Sequence, residues 1–362
     1  MSRSCAATAL VVLATFAAIA SPAAAGARGP LPEPDAFAIP DPGLPPRDAV
    51  LPGGLARASA RATTSVQRYP VNDGKGRSVE IAVSSLCNPA TCNAADPQQI
   101  ADFLGTLAHG DEISSLLVRL VTDGEIAGEC GPGAGACYFP GGNMMLINGN
   151  DTTGPDGATR EFVIAHEYGH HVAQHRFNPP FLPTIDWGTK RWDTYERVCQ
   201  GVRRGAYFPG DEGSHYFQNP GEAYAESSAF LRFRDAPVQW AWVSSLKPDA
   251  GAFRAIRQDV LHPWTHRTRS VLLGRLSRGR QAVVERLATP LDGTLSLRLR
   301  GPRQAEFDLL LRDRQGRLLQ ASRGVGSTEQ INFTVCGQTK LRAVVKRAGP
   351  GTGPFSLAVR RP

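Results

Sequence analysis

Hydrophobic periodicity changes along this chain near residue 266, and that change limits the folds open to it. Downstream, "TLSLRLRG", "EFDLLLRDRQGRLLQAS", "QINFTVCG", "KLRAVVKRAG" and "PFSLAVRR" alternate with period two between glycine-rich turns. Period two puts successive side chains on opposite faces of a strand, so residues 267–362 are expected to form an all-β sandwich. Upstream the texture is mixed. "SVEIAVSSL", "SSLLVRLVT" and "NMMLIN" read as strands, whereas "DPQQIADFLGTLAHG" reads as a helix capped by Asp96, opened by Pro97 and stopped by Gly110. A helical pattern runs from Thr159 to about Arg176, another helix opens at Asn219-Pro220, and "AFRAIRQDVLH" supplies a third. Strands followed by helices predict an α+β domain over residues 70–265.

The first 25 residues have the form of a signal peptide: Arg3 as the only charge, an apolar stretch from Thr8 to Ala20, and small residues through Ala25. That stretch falls short of the roughly 20 residues a bilayer span needs, so no stable membrane insertion is expected after cleavage. Cys5 precedes the apolar core, which argues against a lipid anchor. Residues 26–69 are too proline-dense for a helix or central strand and read as a flexible leader or propeptide. The expected location is therefore extracellular, with the periplasm or cell surface as variants of the same export. The oligomeric state is left open.

Cleavage removes Arg3 and takes the formal net charge from +7 to +6. No basic run is interleaved with aromatics, so nucleic acid is not an expected partner. Of the 7 cysteines, six remain once Cys5 is removed, an even number that predicts disulfides in an exported chain. Cys87/Cys92 and Cys130/Cys137 are close enough to shut small loops, which leaves Cys199 with Cys336. That pairing is one of roughly 15 possible.

The chemistry concentrates in "HEYGHHVAQH", residues 166–175. His166 and His170 are one helical turn apart and can aim ring nitrogens at a single ion. Glu167 lies beside them, where a carboxylate can take a proton from an activated water. His171 and His175 repeat the spacing, but Val172 stands where the base would be. A third ligand has to come from elsewhere. In "NPGEAYAESSAF" Glu222 and Glu226 share a helical face, so one can bind metal while the other supports a ligand imidazole. Asn219 and Glu222 also form a capping box, which would use Glu222 to close its own helix instead.

"FVIAHEYGHHVAQH" followed by "NPGEAYAESSA" resembles the gluzincin branch of zinc metallopeptidases. The resemblance implies that His166, His170 and Glu222 bind zinc (Zn2+), that Glu167 is the general base, and that Glu226 occupies the position of a supporting acid. Many gluzincins have Asp at that last position, and Glu226 is one methylene longer. The metzincin pattern HExxHxxGxxH is absent. The resemblance further implies a zincin-like fold with a substrate-holding edge strand before the histidine helix. "YFPGGNMMLIN", residues 138–148, is placed to be that strand, or else an ordinary core strand. Gluzincins often use a Tyr or His to stabilise the oxyanion, and His215 and Tyr216 lie just before the Glu222 helix. The final region is similar to the bacterial prepeptidase C-terminal domain in "FDLLLRDRQGRLL", "INFTVCG" and "GTGPFSLAV". Together these imply a secreted zinc-dependent endopeptidase acting on peptide or protein substrates. The alternatives are a secreted binding or adhesion protein with a structural metal, or a zinc hydrolase of non-peptide amides.

Overall fold

A computed structural model describes residues 65–154 and 157–362. The expected signal peptide and the leader up to residue 64 lie outside the described residues. Among the described residues, regular structure is already present at Gln67, before the expected boundary at residue 70. Strand β1 (Gln67–Pro70) pairs antiparallel with β2 (Ser78–Val83), helped by a 2.8 Å ion pair between Arg68 and the facing Glu80. Pro70 is tolerated because β1 is an edge strand.

Helix α1 (Pro97–Thr106) starts as expected, with the Asp96 carboxylate accepting from the backbone N–H groups of Gln98 and Gln99. It stops at Thr106, before Gly110, because Leu107 turns extended and buries its side chain in the core. A short 3-10 turn, Asp111–Ser115, leads into β3 (Leu117–Val121), followed by α2 (Asp123–Glu129), β4 (Ala136–Phe139) and β5 (Met144–Asn148). The sheet order is β1-β2-β3-β5-β4, with β2, β3 and β5 parallel and both edges antiparallel. Residues 138–148 are thus a hairpin, not one strand. Pro140 has no N–H to continue the ladder, the chain turns over Pro140–Gly142, and Asn143 takes φ +49°. β4 is the edge and β5 is interior.

Six helices follow: α3 (Arg160–Gln174), α4 (Thr184–Trp187), α5 (Lys190–Glu196), α6 (Val198–Arg203), α7 (Pro220–Arg232) and α8 (Ala250–Leu261). Most of the helices share a core with the sheet, running from Val79 and Ile81 through Val118, Met145 and Phe162 to Tyr224, while Val121 and Leu146 of the sheet and Ile126 of α2 form a smaller separate cluster.

Beyond it come β6 (Thr268–Leu276), β7 (Ala282–Ala288), β8 (Gly293–Arg300), β9 (Phe307–Asp313), β10 (Leu318–Ser322), β11 (Thr328–Val335), β12 (Lys340–Arg347) and β13 (Gly353–Arg361). They form two four-stranded antiparallel sheets, β10-β9-β12-β7 and β11-β8-β13-β6. Leu295, Leu297, Leu299 and Leu357 of one sheet and Leu309, Leu311, Leu341 and Val345 of the other share a separate core. The chain is therefore mixed α+β, with a two-sheet C-terminal region compatible with the expected β-sandwich. β6 and β7 escape a search for alternation because most of their residues, apolar ones included, are exposed.

Three disulfides join Cys87 to Cys92 and Cys130 to Cys137, as proximity in sequence suggested, and Cys199 to Cys336, the pair that this left over. The last ties α6 to the end of β11. Nearby, the Asp292 N–H donates to Thr194 Oγ1 at 3.0 Å, a second tie between helices and sheets. Among the described residues no helix is long and apolar enough to cross a membrane.

Candidate metal centre

Helix α3 starts at Thr159, whose hydroxyl accepts from Phe162 N–H, and nearly all of it is buried. Burying histidines and a glutamate is costly unless partners meet them. α7 brings those partners. Its own N-terminus is closed by Asn219, whose side chain accepts from Gly221 N–H, so Glu222 faces across to α3. The two helices approach closely at Gly169: a Cβ there would lie 2.8 Å from Ala225 Cα and 3.0 Å from Ser228 Cβ. Gly169, directly before His170, is therefore small so that the carboxylates of α7 can reach the imidazoles of α3.

His166, His170 and Glu222 converge in a buried triangle. The two Nε2 atoms are 3.2 Å apart, His166 Nε2 is 3.3 Å from Glu222 Oε2, and His170 Nε2 is 3.3 Å from Glu222 Oε1. Ligand atoms about 2.0–2.1 Å from a tetrahedral zinc lie roughly 3.3–3.4 Å from one another; the 3.2 Å between the imidazole nitrogens is close to that spacing, and Glu222 presents a different oxygen to each imidazole, either of which could be the third donor. Two imidazole nitrogens and one carboxylate oxygen are also a donor set that zinc accepts. Burial raises the Glu222 pKa, but the neighbouring His170 and His166 outweigh it and hold the carboxyl below the usual carboxylate range.

The surroundings of the triangle set its orientation. His166 Nδ1 is 2.9 Å from Glu226 Oε2; with Nδ1–H donating to that carboxylate, Nε2 keeps its lone pair for the triangle. The extra methylene of Glu226 does not prevent this contact. Buried His170 Nδ1 has no comparable partner among the described residues. The Tyr216 hydroxyl donates to Glu222 Oε2 at 3.2 Å, while Trp242 stacks on His166 at 5.8 Å between ring centroids. Glu167 is fully buried on the same helix.

His215 does not join the group. Its ring stacks on Phe208 at 3.8 Å, and its Nδ1 lies 2.7 Å from Asp211 Oδ2. His171 and His175 also point elsewhere. His171 Nδ1 meets the Tyr138 hydroxyl at 3.0 Å, and its Nε2 meets the Glu112 carbonyl oxygen at 2.9 Å. Burial pushes its pKa down to about 4, so the ring is neutral at ordinary pH. His175 is exposed at the end of α3, within 3.2 Å of both Ser115 Oγ and Asn143 Oδ1.

Sequence reasoning missed Trp242, Asp186 and Glu112. Asp186 on α4 feels the site electrostatically: burial raises its pKa, His170 partly offsets that, and Glu222 adds to it. Glu112 accepts from the Tyr168 hydroxyl and pairs with Arg176 at 2.9 Å, holding α3 from behind. Nothing local in the sequence marks these residues, because each reaches the helix from a distant segment.

No protein-family model matches the chain, and no curated protein matches it. Among solved structures it is similar to the pre-peptidase C-terminal domain of a Bacillus anthracis collagenase, at 16% identity over 25% of this chain and 87% of that one, with a TM-score of 0.22. It is also similar to the Yersinia pseudotuberculosis-derived mitogen, at 13% identity over 26% and 87%, TM-score 0.22. A third is PliG, a periplasmic inhibitor of g-type lysozyme from Aeromonas hydrophila, at 15% identity over 26% and 85%, TM-score 0.21. Likenesses at this level carry no argument about fold or function.

Proposed function

We propose that this chain is a secreted zinc-dependent endopeptidase, with a zincin-like catalytic domain over residues 70–265 and a prepeptidase C-terminal-like domain over residues 267–362. The observation that carries the reading is the buried group of His166, His170 and Glu222, in which the imidazole nitrogens lie 3.2 Å apart and each is 3.3 Å from one oxygen of the Glu222 carboxylate, with Glu167 on the same helix as the two histidines. When bound there, zinc supplies Lewis acidity, which lowers the pKa of a water and polarises a carbonyl. Glu167 takes the proton of the attacking water and delivers it to the leaving amine. Glu226 fixes the His166 ring through Nδ1. Tyr216 is the candidate donor to the oxyanion, since its hydroxyl already reaches the ligand set; His215 is the weaker candidate, being held by Asp211. β4, as the edge strand, is the candidate for the substrate-holding strand of a zincin-like fold. Three disulfides fit export to an oxidising compartment.

The test combines metal analysis of the purified chain with casein digestion, with and without a chelator. About one zinc per chain and chelator-sensitive cleavage are expected, together with full zinc but a roughly 10²–10⁴-fold loss of cleavage in Glu167→Gln. Undiminished cleavage by that variant would sink the mechanism. Stoichiometric zinc with no turnover would favour the binding-protein reading with a structural metal.

A further inference from the structure

Charge is divided unevenly along the chain. Residues 267–362 hold 19 of the 40 Lys and Arg but 6 of the 33 Asp and Glu, a net +13, whereas residues 65–266 hold 16 and 23, a net −7. An even spread of the whole-chain +7 would not produce this. The excess is concentrated on the outer faces of the two sheets, because the inward positions of the strands are taken by the leucine-rich core.

On the sheet β10-β9-β12-β7 the arrangement is specific. Arg342 of β12 pairs across to Arg286 of β7 on one side and to Arg312 of β9 on the other, which sets three arginines in one row across three strands. Directly opposed side chains have Cβ atoms about 4.5–5.5 Å apart, and like charges so placed destabilise a sheet. Beside the row is a groove lined by Arg286, Arg314, Lys340 and Arg342. None of these four forms an ion pair among the described residues, although Glu285 borders the neighbouring hollow. Repulsion of this kind would be relieved by a bound chain of anionic groups.

We propose that this face, with the row Arg286–Arg342–Arg312 and the adjoining Arg314 and Lys340, binds a linear acidic polysaccharide. Guanidinium groups grip sulfate, phosphate or carboxylate in bidentate fashion, and the row is about 10 Å long at the usual strand spacing, a match to successive charges on one polymer chain. The observations favour this polyanion over others. No aromatic side chain lines the groove to stack on bases. The exposed large aliphatics of this face, Val284 and Leu318, sit within strands, not on a loop that could enter a bilayer. The net −7 of residues 65–266 repels any polyanion and steers it to the two-sheet region. This site is independent of the metal centre and goes beyond the hydrolytic reading.

The experiment is calorimetric titration of the purified full chain with a heparin-derived octasaccharide at about 0.15 M salt, where the Debye length is about 8 Å. Saturable binding that weakens steeply as salt rises is expected, as for other charge-neutralising contacts. The triple variant R286S/R314S/R342S should bind about 10-fold or more weakly with a Tm no lower than that of the parent, because the opposed like charges are gone. A charge-matched triple on the outer face of the other sheet, R269S/R298S/R300S, should lose less than about 2-fold, since screening confines the effect to near charges. Equal losses in the two triples would overturn the proposal in favour of bulk charge. Equally tight binding of polyphosphate, duplex DNA or phosphatidylglycerol vesicles would overturn the assignment to polysaccharide. If the first triple does not fold, R314E, on an exposed turn, gives the same readout and should weaken octasaccharide binding several-fold; no change in it would count against the site.

Discussion

His166/His170 and His171/His175 share one helix, one spacing and one residue type, yet they do opposite work. Five residues along a helix is about 140° around it, so the two pairs lie on different faces. The first face meets the carboxylates of α7: Glu222 closes a triangle and Glu226 holds His166 Nδ1. The second face meets Tyr138 on the edge strand and the Glu112 carbonyl, and its outer member, His175, lies at the surface. Spacing alone makes a pair of imidazoles; only the opposite partner makes a site. His171 still serves the first face indirectly, because its bond to Tyr138 fixes β4 against α3.

The contrast can be broken from either side. The largest effect is expected from His170→Ala, which removes one corner of the triangle: bound zinc should fall from about one per chain to near none by metal analysis, and casein cleavage with it. A smaller loss on the same face is expected from Glu226→Gln, which weakens the support of His166; competition with a chromophoric chelator should show zinc held about 10–100-fold less tightly. On the opposite face His171→Phe keeps the ring and deletes two buried hydrogen bonds. It should cost about 2 kcal/mol in denaturant unfolding while metal stoichiometry stays unchanged. Loss of zinc in that variant would show that the two faces are not separate. The smallest effect belongs to His175→Ala, where stability should stay within about 0.5 kcal/mol of the parent and activity should be unaltered, because the side chain is exposed.

The same helix shows how much can be read before folding. His166, Glu167 and His170 are legible because one turn of helix has a fixed rise and twist, so their relative placement needs no tertiary information. Glu222 is partly legible: the competing capping box gives it a complete local use, and only the observed cap, made by Asn219 alone, frees it to face α3. Tyr216 and His215 are adjacent in sequence but diverge, one toward Glu222 and the other toward Asp211. Trp242, Asp186 and Glu112 leave no local trace at all.

Local rules also misjudge boundaries. Gly110 looks like a helix stop, but burial of Leu107 ends α1 sooner. Residues 138–148 look like one strand, but Pro140 and two glycines fold them back, so the edge strand is β4. The alternating strands after residue 290 announce themselves, whereas β6 and β7, with few buried positions, do not.

By itself the sequence determined the periodicities, hence the two kinds of architecture, the proximity-paired disulfides and the one-turn geometry of His166, Glu167 and His170. These depend on covalent connectivity and on backbone repeats that span a few residues. The tertiary structure alone decided which glutamate closes the triangle, which histidines are excluded from it, and which arginines stand in one row. Each of those is a contact between segments far apart in sequence, and such contacts are set by packing, here by the close approach of α3 and α7 at Gly169 and by the strand register of the outer sheet.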